Sequence, residues 1–141
     1  MELLKFRERH PGQYLVLQLG NKAMAESRSP SGIIEVFRPY EHLVDAVLFD
    51  PSGGTGRPFD PKAAAEFLRS FRNRYESFGF GVAGGLGPKL GDMESIPPLL
   101  AEFPGLSWDV EGKVRTAMPE DRLLIRVTRE YIGQSFPMVK E

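Results

Sequence analysis

The sequence contains no cysteine. That absence excludes disulfides, zinc–thiolate sites and cysteine nucleophiles, and it leaves the cellular compartment open. An excess of one charge is also missing. Lys and Arg number 18 against 19 Asp and Glu, for a formal net charge of −1. No global field draws the chain to nucleic acid or to an anionic membrane, and neither is expected as a partner. No apolar run approaches the ~20 residues of a membrane span. Residues 1–9 are charged throughout and lack the apolar core of a signal peptide. A cytoplasmic, soluble protein is the expectation. Histidine is scarce, and His10 and His42 lie away from the segments singled out below. No metal and no cofactor are expected. The sequence has no Walker loop, HExxH or nucleophile elbow.

What is present is enough for one compact domain: 141 residues, 41% of them hydrophobic. Short apolar runs at residues 14–19, 46–49, 80–83 and 106–110 read as strands. They lack strict two-fold alternation, which fits burial on both faces. Longer amphipathic stretches lie between them. Residues 61–77 read as a helix, with Asp60 as N-cap, Pro61 in the first turn and an apolar stripe of Ala64, Phe67, Leu68 and Phe71. Residues 119–134 and 92–103 read as further helices, and residues 32–43 as a short one broken by Pro39. The rhythm is strand, helix, repeated four times at the spacing of a βα unit. Such alternation gives α/β architecture with a parallel sheet. A full eight-stranded barrel needs roughly 200–250 residues, so about four βα units fit here, a parallel half-barrel. Four such strands leave two open edges. A second copy, another chain or an upstream region must cover them, so a homodimer or other homo-oligomer is expected. A small open α/β sheet is the alternative.

In α/β barrels, chemistry sits at the carboxyl ends of the strands. Three unusual segments fall there. The first runs from Phe49 to Asp60. Asp50 ends a strand and is a candidate general acid, or else caps a turn. Gly53, Gly54, Thr55 and Gly56 follow as a loop able to approach a ligand closely, though without the Lys–Ser/Thr of a nucleotide P-loop. The second segment carries Gly84 and Gly85, where exposed N–H groups suit phosphate oxygens or where a tight turn needs glycine. The third carries Asp109, Glu111, Gly112, Lys113 and Arg115. Lys113 and Arg115 can neutralise a phosphate, and Asp109 and Glu111 can position them or meet a sugar hydroxyl. Surface ion pairing is the plainer reading of that cluster. Gln18, polar in an apolar strand, either reaches the site or satisfies a backbone group. Trp108 reads as core.

The ordered set Leu48-Phe49-Asp50, Gly53-Gly54-Thr55-Gly56, Phe59-Asp60, Ala83-Gly84-Gly85-Leu86 and Asp109-Val110 with Gly112 resembles phosphoribosylanthranilate isomerase, the barrel enzyme of tryptophan synthesis. The resemblance covers roughly residues 44–115, the C-terminal half of that family's barrel. It implies an Amadori rearrangement of a phosphoribosyl amine. It makes Asp50 the general acid and places the phosphate on the loops at Gly84, Gly85 and Gly112. The family's general base is a cysteine on its first strand, and this chain has none. Three functions are therefore in view. They are an isomerase acting on a phosphorylated sugar, a non-catalytic phosphate-binding module, and an assembly unit whose sheet edges pair with a second copy.

Overall fold

The computed structural model describes residues 2–27, 29, 31–52, 58–89 and 91–139. Four strands, β1 (Val16–Leu19), β2 (Ala46–Phe49), β3 (Gly79–Val82) and β4 (Ser107–Trp108), form one parallel sheet in the order β1-β2-β3-β4. The pairing is in register: Gln18 lies beside Leu48, Leu48 beside Gly81, and Gly81 beside Ser107. Among the described residues six α-helices accompany them: α1 (Glu2–Arg9), α2 (Asn21–Ser27), α3 (Ile33–Phe37), α4 (Pro61–Arg72), α5 (Ile96–Glu102) and α6 (Ile125–Ser135).

Sequential order has a physical consequence. Each crossover between neighbouring parallel strands turns with the same hand, so the crossover helices gather on one face. The side chains confirm it. Leu19, Val47, Phe49 and Val82 share that face by strand alternation and are buried. Phe67 of α4 stacks on Phe49 with ring centroids 4.2 Å apart, and Phe71 meets Phe37 of α3 at 4.9 Å. Each such buried ring contributes about 1.5–3 kcal/mol through area alone. The opposite face carries Val16, Gln18, Ala46, Leu48, Gly79, Gly81 and Ser107. It is thinly covered: Val16 is 54% exposed, and Gln18 and Ser107 are exposed as well.

Local chemistry sets the helix starts. Asp60 accepts from the amides of Lys62 (3.0 Å) and Ala63 (3.1 Å), and Pro61 opens α4, as its sequence predicts. The helix expected over 119–134 starts later, at Ile125. The preceding residues instead form a hairpin in which Leu124 donates to the Val114 carbonyl and Thr116 to that of Arg122, both at 2.8 Å. Helices α1 and α2 have no counterpart in the predicted pattern. Arg7 anchors α1 from a distance, donating to the Leu43 carbonyl at 2.9 Å and to Asp45 at 2.6 Å.

Candidate functional site

Strand alternation decides which polar side chains meet. Asp50 and Asp109 each follow their strand by one residue and continue the face that carries Gln18. The amide of Asp50 donates to Leu19 (3.1 Å) and that of Asp109 to Val82 (2.9 Å), so the ladder holds both at the sheet's carboxyl end. Asp50 is 7% exposed. Gln18 Nε2 donates to its Oδ2 at 2.7 Å, while the Ser52 amide (3.1 Å) and hydroxyl (2.7 Å) donate to Oδ1. Gln18 thus spans two strands and orients the buried carboxyl group. Asn21 ties the same corner by donating to the Ser52 carbonyl at 2.9 Å.

The second loop arrives from β3. Gly84 and Gly85 both adopt left-handed backbone, with φ of 89° and 74°. At Gly84 the reason is contact as well as conformation. A Cβ there would stand 2.5 Å from both Asp50 Oδ1 and Ser52 Oγ. Only glycine lets this turn lie against the carboxylate. The N–H groups of Gly84, Gly85 and Leu86 have no acceptor among the described residues. Consecutive amides of this kind suit an anion or a carbonyl oxygen.

Lys113 bridges the second and third loops. Its Nζ donates to the Gly85 carbonyl and, at 2.7 Å, to Asp92 Oδ1. Gly87 leaves room for it, since a Cβ at 87 would come within 2.5 Å of Lys113 Cδ. Lys113 therefore braces the glycine turn instead of standing free. Arg115, expected beside a phosphate, goes elsewhere. It donates to Asp121 Oδ1 (2.6 Å), Oδ2 (3.0 Å) and the Asp121 carbonyl (2.9 Å), stapling the hairpin before α6. The hydrogen bond from Arg115 holds the Asp121 carboxyl below the usual carboxylate range. Arg115 does not line the site; the plainer ion-pair reading describes it.

These groups surround one cavity of about 360 Å³, lined by Gln18, Asp50, Ser52, Gly84, Gly85, Leu86, Asp109, Glu111, Gly112 and Lys113. That volume suits a small metabolite. Gly53, Gly54, Thr55 and Gly56 lie outside the described residues. Leu86 belongs to the Ala83-Gly84-Gly85-Leu86 motif, whereas Ser52 is a site residue that the sequence reading misses. The Asp-x-Ser spacing is the signal for Ser52, because a side chain two residues on can return to a carboxylate in a turn.

No protein-family model, curated protein or solved structure matches the chain.

The site's chemistry therefore rests on its own groups. Among the described residues no cluster of His, Asp and Glu is arranged to hold a metal ion. Among the described residues the lining offers three carboxyl side chains, Asp50, Asp109 and Glu111, against one lysine. A negative charge 5 Å from one carboxylate meets about 3 kcal/mol of repulsion at an effective dielectric of 20. Among the described residues, the free amides of the glycine turn are well placed to offset it. The structure has no helix long and apolar enough to cross a membrane among the described residues.

Proposed function

We propose that the cleft at the carboxyl end of the sheet binds a small phosphorylated sugar, and that Asp50 transfers a proton during its isomerisation. One observation carries this reading. Gln18, Asp50, the left-handed Gly84-Gly85 turn, Asp109 and Gly112 come from four separate strand ends and border a single cavity. Sequential parallel strands with all crossover helices on one face also fit a segment of a β/α barrel, where sites take this position.

In this account the amides at Gly84, Gly85 and Leu86 receive phosphate oxygens. Gln18 and Ser52 aim the Asp50 carboxyl at the ring oxygen of the sugar. Asp109 is exposed, its carboxyl side chain makes no hydrogen bond among the described residues, and it is the group left to accept the second proton. A 1,2-proton shift of the Amadori type needs one group to give a proton to oxygen and one to remove a proton from carbon. The two aspartates supply both roles without a cysteine.

Asp50→Asn tests the assignment. The amide keeps the shape, so affinity for a reduced, non-reacting product analogue stays within a few-fold while turnover of phosphoribosyl anthranilate is lost. Turnover that survives the substitution removes Asp50 from the mechanism. Analogue binding with no turnover in the unmodified chain selects the non-catalytic module instead.

A further inference from the structure

We propose that two copies of this chain close around a twofold axis into one eight-stranded parallel barrel, and that each copy supplies Lys22 to the rim of the other's site. The closure goes beyond the reading above. Only the role given to Lys22 rests on it.

Strand direction is the first argument. Rotation about an axis parallel to the strands leaves all eight pointing the same way. It sets β4 of each copy beside β1 of the other, and eight strands are the number at which such a barrel closes and fills. Both outer edges hold backbone groups ready to pair. The inner ladder uses the Leu15 and Leu19 carbonyls of β1, which accept from Ala46 and Asp50. By alternation the amides of Val16 and Gln18 face outward. On β4 the Asp109 amide turns inward to Val82, so that of Trp108 faces outward.

The side chains at the two edges agree. Val16, 54% exposed, leaves apolar surface beside β1. Ile132 and Phe136 are more than half exposed beside a hollow of about 330 Å³ at the β4 edge. Solvated residues of this size on both edges of one sheet are an interaction surface.

Charge fixes the arrangement. Lys22 stands three residues past the end of β1, in the first turn of α2, is exposed, and has no ion pair among the described residues. Asp109 and Glu111 follow β4, are exposed, and likewise have none. All three stand at the same end of the sheet but on opposite edges. Twofold closure brings cation and carboxylates together at both seams, and it adds positive charge to a cleft in which Lys113 is already engaged by Asp92.

Sedimentation velocity and chemical coupling test this without any ligand. The unmodified chain runs at twice its 15.8 kDa mass. The chain has no cysteine, so Val16→Cys and Ser107→Cys proteins can be mixed and treated with a short bismaleimide. Covalent dimer forms only when both variants are present. Lys22→Glu weakens association about tenfold, and Glu111→Lys in the same chain restores it. A 15.8 kDa species at micromolar concentration overturns the proposal. So does Val16→Cys coupling to itself, which signals β1-to-β1 pairing. A dimer unmoved by Lys22→Glu removes Lys22 from the rim. None of these outcomes depends on the sugar-phosphate reading, which fails or stands on ligand binding alone.

Discussion

Replacing Gly84 by alanine separates two costs that a glycine turn usually confounds. The first is backbone conformation. At φ 89° a residue with a Cβ is strained by about 1–2 kcal/mol. The second is collision, because the new Cβ falls 2.5 Å from Asp50 Oδ1 and 2.8 Å from Ser52 Cβ. Relief requires Asp50 to move, which breaks the 2.7 Å bond from Ser52 Oγ inside the fold. Losing one hydrogen bond to a buried carboxyl group costs about 1–3 kcal/mol. The expected total is about 2–5 kcal/mol. Gly105 supplies the control. It has nearly the same backbone, φ 84°, with nothing within 4 Å of an added Cβ. Gly105→Ala therefore costs only the strain, about 1–2 kcal/mol. Urea unfolding of both variants, compared at equal m-value, reads the difference in midpoint. Equal losses in the two variants mean that the glycine turn does not press on Asp50, and the described cleft geometry is wrong.

Lys113→Ala releases the Gly85 carbonyl and frees Asp92, so it weakens analogue binding about tenfold or more by calorimetry. Arg115→Ala leaves affinity within a factor of two while loosening the hairpin only slightly, because solvent screens so exposed a pair. Asp45 is held below the usual carboxylate range, first by the Leu15 amide and then by Arg7. The unfolded chain thus takes up the proton before the folded one. Stability from Asp45 is present above about pH 4 and is lost as pH falls through its lower folded value. Asp45→Asn lowers Tm at neutral pH and flattens the melting-temperature profile below about pH 4. Phe67→Ala removes the ring stacked on Phe49 and costs about 3–5 kcal/mol in chemical denaturation.

The strands were legible because burial wrote them as apolar runs. β2 occupies the residues expected for it. β1 begins at Val16, two residues later than its run, because the Leu15 amide turns to the Asp45 carboxylate at 2.7 Å. The α4 start was legible because an Asp–Pro pair is a local signal. Helix α1 was not, since its anchors at Leu43 and Asp45 lie more than thirty residues away in the chain. The late start of α6 follows from a hairpin whose staple, Arg115 to Asp121, is a pairing that periodicity does not encode. The same pairing explains why a charge cluster read as a phosphate site splits. Lys113 joins the cavity and Arg115 leaves it. Gln18 was legible as an oddity in an apolar strand, and register with β2 gives it a role.

Thermal unfolding in the presence of a reduced, non-reacting analogue of the isomerase product, with inorganic phosphate as comparison, addresses the cleft itself. A specific ligand at a hundred times its Kd adds about 2.7 kcal/mol of stability. For a chain of this size that raises Tm by about 6–10 °C, saturably and well beyond phosphate. An analogue that shifts Tm no further than phosphate does shows that the cleft binds no phosphorylated sugar.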